Sequence, residues 1–453
     1  MQIDQIILKQ VGPFGDVTIP LTKGENPNLA DVYLLTGPNG SGKSTALYAL
    51  AGIIGCGHGN LGADLGSRRL RTSDSVAAIA AGEGQRAVAW RMVGSKHRPQ
   101  IPNPFGGDPM QEQTNQGPIF GYYRSAGEHL IHQYWQHAHG FRIDIPTEAR
   151  PKFSWAAFAY AGMRSVYDVQ MTAVQEPTYS PFENSLSFVN TANTDRLAQW
   201  IANQDFKRLK AKEAGRLDRA AQMKKSLRDI ELVVTEIIGE EFAFVTSEED
   251  NNVRVRRNGS AIDLGLLPDG LKSIVSWIAD LLMRLDRIPW IDETPPLERP
   301  FLLLLDEVDI HLHPSWQRKV LPIVQRMFPK AQIIASTHSP FVVASVNDAR
   351  IITLKVEGGV SRVEQVTPSQ AGVSYSAVLR SIFGIESDFD IETERAFSAF
   401  HEAKMELLSG VSNDRGKVDQ LANSLSQRSE EVKELIAIEL RQLERQLTHR
   451  VAR

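Results

Sequence analysis

The chain has 453 residues, enough for two or three domain-sized units, and its 42% hydrophobic and 23% charged content is the balance of a soluble globular protein. A formal net charge of -4 argues against a strongly basic, constitutive nucleic-acid binder, while leaving room for a local basic patch. The single cysteine, Cys56, excludes an intramolecular disulfide framework and a multi-cysteine zinc site. The start Met1-Gln2-Ile3-Asp4-Gln5 lacks the basic and apolar pattern of a signal peptide, and no apolar run approaches a membrane span. A cytoplasmic protein without membrane contact is expected.

In chain order, residues 1–36 read as strands, opening on Ile3, Ile6, Ile7 and Leu8 and closing on Val32-Tyr33-Leu34-Leu35-Thr36. The segment Gly37-Pro38-Asn39-Gly40-Ser41-Gly42-Lys43-Ser44-Thr45 follows directly, and Ala46 to Gly52 suits a helix that starts at Lys43 or Ser44. Strand, glycine loop and helix form the context in which this pattern cradles nucleotide phosphates. Residues without Cβ let successive backbone N–H groups converge on phosphate oxygens at the positive end of the helix. Lys43 is expected to reach the β- and γ-phosphates of ATP, Ser44 to ligate Mg²⁺, and Thr45 to bond a nearer phosphate.

From about 57 to 150 the chain is rich in Gly, Pro, Ser and polar residues with weak periodicity, which predicts an irregular insertion. Phe153 to Tyr160 predicts a strand, and 195–240 is proline-free and helical in composition. Within it Lys207, Arg208, Lys210, Lys212, Arg216, Arg219, Lys224, Lys225 and Arg228 face only Glu213 and Asp218. This run is either a solvated helix face, a track for DNA phosphates or a surface for an acidic protein. Phe301 to Leu305 and Gln332 to Ser336 are short, almost continuously apolar runs, as expected of parallel strands covered on both faces. The first ends in Asp306 and Glu307, placing one carboxylate to hold the metal's water shell and the next to act as general base on the attacking water. The second runs into Ser336-Thr337-His338-Ser339-Pro340, where a histidine at a strand's carboxyl end faces the ligand crevice of an open sheet. Residues 374–453 read as helices, with an apolar stripe at Val432, Ile436, Leu440, Leu443 and Leu447.

These three stretches together resemble the ABC-type ATPase superfamily, in the branch that includes RecF, SMC and OLD-like proteins. Asp306-Glu307-Val308-Asp309-Ile310-His311-Leu312-His313-Pro314, followed by Ser336 to Pro340, is similar to a bacterial subgroup of AAA family ATPases. That subgroup includes ATPase subunits of anti-phage systems such as Septu, its retron-linked relatives and PARIS. The resemblance implies an α/β fold: a P-loop ATPase head with a mixed, largely parallel sheet core, a helical lobe and a helical C-terminal tail. It divides the chain into an ATPase lobe (1–190, with the insertion), a helical lobe (191–298), the rest of the ATPase core (299–365) and a C-terminal helical region (366–453).

The resemblance also implies a signature loop that contacts the γ-phosphate held by a second copy, in an ATP-sandwich dimer or higher even-numbered oligomer. Its best match is Leu267-Pro268-Asp269-Gly270-Leu271-Lys272-Ser273, opening a helix from Ser273 to Leu285, with Asp269, Gly270 and Lys272 as the contact residues. Pro268 replaces the usual serine, which removes a γ-phosphate donor. His311 and His313 fall in the family's His-Leu-His-Pro pattern and imply a turn and interface role. Gln170 and Gln175 are the candidates for the metal-sensing glutamine. The cluster His129, His132, His137 and His139 lacks an accompanying cysteine or tight carboxylate, so no metal site is expected there. Nothing after His338 supplies the glutamate and paired aspartates of a Toprim nuclease. The implied function is an ATP-hydrolysing switch that controls a separately encoded nuclease or toxin in a defence complex. The alternatives are a RecF-like ATPase acting directly on DNA and a structural scaffold that holds ATP.

Overall fold

The computed structural model describes residues 1–55, 61, 62, 65, 69–72, 74–91, 103–106, 118–123, 130–162, 174, 176–189, 192–247, 252–385 and 389–451. They divide into two compact units, Met1–Val378 and Leu379–Arg453.

The first unit is of α/β type. Its strands are β1 (Ile3–Lys9), β2 (Asp16–Pro20) and β3 (Asp31–Thr36), followed by helix α1 (Lys43–Ile54). Then come β4 (Val76–Ala81), β5 (Gln85–Arg91), β6 (Pro118–Tyr123), α2 (Leu130–His139) and β7 (Ala156–Tyr160). Helices α3 (Thr194–Glu213) and α4 (Leu217–Ile238) pack as a pair, ahead of the small antiparallel sheet of β8 (Ala243–Thr246), β9 (Val253–Arg257) and β10 (Ser260–Asp263). Helix α5 (Asp269–Arg287), β11 (Phe301–Leu305), α6 (Pro314–Met327), β12 (Gln332–Ser336), α7 (Pro340–Ser345) and the hairpin β13 (Ala349–Glu357)–β14 (Val360–Pro368) complete it.

The central sheet has the order β14-β13-β3-β12-β11-β7; its strands are parallel except for the antiparallel edge β14. Every residue of β7, β11 and β12 is buried, which is why these strands read as unbroken apolar runs. A second, antiparallel sheet, β2-β1-β4-β5-β6, lies on the other side of α1. Sandwiched between two sheets, α1 is apolar nearly all round: Ala46, Leu47, Ala49, Leu50, Ile53 and Ile54 are all buried. The sheets are stitched together by Gln332, whose Oε1 accepts from the Ile3 N–H (2.8 Å) and whose Nε2 donates to the Ile3 carbonyl (2.7 Å).

The stretch read as an irregular insertion thus contains β4, β5, β6 and α2. Val76-Ala77-Ala78-Ile79-Ala80-Ala81 shows no polar–apolar alternation because nearly every residue of β4 is buried, with α1 packed against the strand and Ile7, Val88 and Trp90 of the neighbouring strands flanking Val76 and Ala78. Alanine has little strand preference, so pairing with β1 and β5 is what holds this segment extended.

The second unit has its own core, built by α8 (Ile391–Ser409), α9 (Arg415–Ser426) and α10 (Glu430–Val451). Asp390 caps α8 by accepting from the Glu392 and Thr393 N–H groups, and Gly410 ends it in the left-handed conformation. The stripe on α10 packs inward: Val432, Ile436 and Leu443 are buried with Phe400, Val418 and Leu425, and Leu440 and Leu447 lie against them. Phe400→Ala should destabilise this unit by about 3–5 kcal/mol. Amide exchange in α8–α10 of the full chain would register the loss.

Candidate nucleotide-binding site

Strand β3 delivers the glycine loop to one end of the central sheet. Gly37, Gly40 and Gly42 all have positive φ (136°, 79° and 95°). A Cβ on Gly37 would lie 2.3 Å from the Leu354 carbonyl oxygen of β13, and one on Gly42 would lie 2.5 Å from the Phe14 ring. The loop is therefore pressed between β13 and the Gly12-Pro13-Phe14-Gly15 turn that follows β1. Gly42 caps α1 without a side-chain acceptor, and no acidic residue stands in its first turn. Its leading N–H groups keep their partial positive charge for an anion. Among the described residues the buried Ser41 Oγ has no hydrogen-bond partner, and Lys43 Nζ donates to the carbonyls of Gly37 (2.8 Å) and Pro38 (2.9 Å). Burial pushes the Lys43 pKa down, against the opposing pull of Asp306, Glu307 and Asp309.

Those carboxylates arrive from β11, 262 residues along the chain from Ser44. The Asp306 N–H donates to the Tyr160 carbonyl of β7 (2.9 Å). Asp306 Oδ1 accepts from Ser44 Oγ at 3.0 Å and from Ser336 Oγ at 2.6 Å, so β11, α1 and β12 meet at one oxygen. Ser336 Oγ also accepts from the Glu307 N–H (2.7 Å). Glu307 itself has φ +50°, an uncommon conformation for a residue with a Cβ, held from one side by Ser336 and from the other by Gly162. A Cβ on Gly162 would come within 2.7 Å of Glu307 Cβ.

Asp309 closes the group from behind. Its Oδ1 accepts from Thr337 Oγ1 (2.6 Å) and from the His338 N–H (3.3 Å), which sets the backbone that carries the histidine. Burial, and then the nearby Lys43 ammonium, hold the His338 pKa below the usual imidazole value. The neutral ring is thereby favoured at neutral pH. On acidification the unfolded chain takes up this proton first, so His338 withdraws stability as pH falls from the ordinary imidazole value through its own. An NMR titration should find His338 with a midpoint below the normal range, and Lys43→Met should raise it.

The structure gathers Gly37, Pro38, Asn39, Gly40, Ser41, Gly42, Lys43, Ser44, Thr45, Asp306, Glu307 and His338 at one end of the sheet. Asp269, Gly270 and Lys272 share no hydrogen bond with this group among the described residues. They also occupy a helix rather than a loop, because α5 begins at Asp269 and not at Ser273. Pro268 presets the turn into that helix, and Asp269 in the first turn suits its positive end. Asp269 is exposed and 3.7 Å from Lys272 Nζ. Gly270 lies against the same chain's His311, with its Cβ position 2.5 Å from the His311 carbonyl oxygen. His311 has φ +62°, and His313 caps α6 by accepting from the Ser315 N–H.

Gln170, Gln175 and His129 lie outside the described residues. The basic run covers the end of α3 and the first half of α4; Lys207 pairs with Glu176 and Arg208 with Asp205, while Lys210, Lys212, Arg216, Arg219, Lys224, Lys225 and Arg228 are exposed. Sequence reasoning gave no role to Ser336, Tyr160, Gly162 or the Gly12–Phe14 turn, and it read Asp309 only as the start of a segment, through Ser315, that touches a second copy. For Ser336 the signal was its place immediately before Thr337 and His338 at a strand end.

Comparisons with known proteins cover both halves of this site. Residues 1–54 match the family model described as "AAA domain", and residues 175–344 match "AAA domain, putative AbiEii toxin, Type IV TA system". The chain is 36% identical over 104 residues to "Retron Vc95 probable ATPase" of Vibrio cholerae serotype O1 biovar El Tor, covering 22% of this chain and 19% of that protein. It is 36% identical over 101 residues to "Retron Ec83 probable ATPase" of Escherichia coli, covering 22% and 18%. To "Septu protein PtuA" of Bacillus thuringiensis it is 31% identical over 140 residues, covering 26% and 35%. The chain thus spans about a fifth of the two retron relatives and about a third of the Septu relative. Among solved structures, an SMC head bound to the C-winged helix domain of ScpA aligns with TM-score 0.45 at 15% identity, over 81% of this chain and 98% of that one. The SMC head domain from Thermotoga maritima aligns with TM-score 0.40 at 13% identity, over 82% and 100%. Among the described residues no helix is long and apolar enough to cross a membrane. With AAA-domain models matching both the segment of the glycine loop and that of the carboxylates, the chain is similar over this core to the ATPases of retron and Septu systems.

Proposed function

We propose that this chain binds and hydrolyses ATP, and that the cycle serves as the switch of a bacterial anti-phage defence complex whose nuclease or toxin resides on another chain. The observation that carries the catalytic reading is the shared oxygen: Ser44 Oγ and Asp306 Oδ1 stand 3.0 Å apart, joining the glycine loop to the carboxylate pair. A hydroxyl and a carboxylate at this distance suit a hard divalent cation such as Mg²⁺. Three glycines whose Cβ positions are blocked or left-handed, and an orphaned Ser41 hydroxyl, suit a phosphate chain in the loop.

In this reading the N–H groups from Gly40 to Thr45 hold the phosphates, and Lys43 exchanges the carbonyls of Gly37 and Pro38 for phosphate oxygens. Ser44 and Asp306 hold the cation, which neutralises charge on the phosphates when bound. Glu307 orients the attacking water and takes its proton. His338, kept neutral, hydrogen-bonds the terminal phosphate. Asp269, Gly270 and Lys272 face a second copy, so that two chains sandwich two nucleotides. A γ-phosphate shared between copies is bound differently in the closed and open states, which is what a nucleotide needs in order to shift that equilibrium.

The exposed cations of the α3–α4 pair favour a second reading, a RecF-like ATPase acting directly on DNA. One experiment separates the two. The protein is expressed with its chromosomal neighbours, and its ATPase rate is measured with and without duplex DNA at several salt concentrations. A second polypeptide that co-purifies, with DNA-independent turnover, supports the switch. No partner and a salt-sensitive stimulation by DNA would replace it with the repair reading.

A further inference from the structure

The helix that carries Asp269 and Gly270 holds an ion pair deep in the protein. Asp280 and Arg284, one turn apart on α5, are 1% and 0% exposed, and Arg284 Nε donates to Asp280 Oδ2 at 2.6 Å. Burying such a pair is a poor way to gain stability, since apolar side chains of similar volume usually do as well or better. What the pair touches suggests another use. Asp280 Oδ2 also accepts from the Tyr160 hydroxyl at 2.8 Å, and Arg284 Nη1 donates to the carbonyls of Pro181 (2.7 Å) and Glu183 (2.9 Å). The pair therefore grips the chain at both ends of the connection 161–183, which leaves β7 beside the carboxylates. Among the described residues, Asp280 Oδ1 has no hydrogen-bond partner.

Tyr160 is the last residue of β7, and its ring also lies against Trp277 of α5. Its carbonyl accepts the Asp306 N–H, and two residues later Gly162 is packed against Glu307. Fixing the phenol thus fixes where β7 ends, and with it the backbone of both carboxylates. The same helix touches the site a second time at its start, where Gly270 meets the His311 carbonyl. We propose that Asp280, acting through the Tyr160 hydroxyl, is a positioning residue that sets Glu307 for activation of the attacking water and ties that geometry to the Asp269–Lys272 end of α5. The proposal rests on the hydrolysis reading above.

The test is steady-state ATP hydrolysis and nucleotide affinity of the full chain in five forms: wild type, Glu307→Gln, Tyr160→Phe, Asp280→Asn and Tyr160→Phe with Asp280→Asn. Tyr160→Phe removes one oxygen and keeps the ring, so it leaves the fold in place even where Asp280→Asn alone does not. Misplacing a catalytic group by a fraction of an ångström predicts a fall in kcat of about tenfold, with KM and nucleotide affinity within about twofold. The double variant should be no slower than Asp280→Asn alone. A full wild-type kcat in Tyr160→Phe, an affinity loss that matches the fall in rate, or effects that multiply would each overturn the proposal. If wild type turns over, Glu307→Gln does not and Tyr160→Phe is unimpaired, this proposal fails alone. If wild type and Glu307→Gln are equally fast, the hydrolysis reading fails and takes the proposal with it.

Discussion

ATP turnover by the Glu307→Gln variant should fall by about 10²–10⁴-fold while nucleotide affinity stays within a few-fold of wild type. The glutamine amide has the shape of the carboxylate, and the backbone features that hold the residue are unaffected: its N–H still donates to Ser336 Oγ, and Gly162 still leaves room for its Cβ. What disappears is the ability to accept a proton from water. Asp306 keeps its contacts with Ser44 and Ser336, so the cation and phosphate contacts proposed for the loop are retained. Phosphate release gives the rate and calorimetric titration the affinity. Equal rates in the two proteins would remove Glu307 from the mechanism and favour a scaffold that holds ATP with little turnover.

The Gly37→Ala variant should lose nucleotide binding by about 100-fold or more, and its thermal midpoint should drop as well. At φ +136° an alanine is strained by about 1–3 kcal/mol before any contact is counted. Its Cβ would also stand 2.3 Å from the Leu354 carbonyl oxygen, a backbone atom of β13 that cannot swing aside as a side chain can. Either β13 or the loop must move, and the loop is the less tightly paired of the two. Gly40→Ala is the natural control. Gly40 also has positive φ, but among the described residues nothing lies within 4 Å of its Cβ position, so only the backbone strain remains. Wild-type affinity in Gly37→Ala would show that the site is not built on this loop, and a greater loss in Gly40→Ala than in Gly37→Ala would remove the Leu354 contact as the cause.

The features legible in the sequence share a short range. The glycine loop, the Asp306–Glu307 pair and the strand runs on either side of them are local patterns whose chemistry depends on neighbours in the chain. The features that were not legible depend on distant partners. Ala77 and Ala78 are strand residues only because β1 and β5 pair them, and Ala87 and Ala89 only because β4 and β6 do, with α1 packed against both strands. Ser336 bonds Asp306 because β12 lies next to β11 in parallel register, which neither segment reveals alone. The segment Leu267 to Ser273 was legible as a helix start, yet its start lies at Asp269, set by Pro268 and by the packing of Gly270 on His311.

By itself, then, the sequence determined that a glycine loop ahead of a helix and a carboxylate pair exist and that apolar parallel strands deliver them, because loop conformation and strand burial are written in residue type. Only the tertiary structure decided that Ser44, Asp306 and Ser336 meet at one oxygen, that burial and then Lys43 hold down the protonation of His338, and that Asp280 holds Tyr160 behind the site. Each of these joins groups far apart in sequence, where strand order and register, and not local preference, set which side chains come within hydrogen-bonding reach.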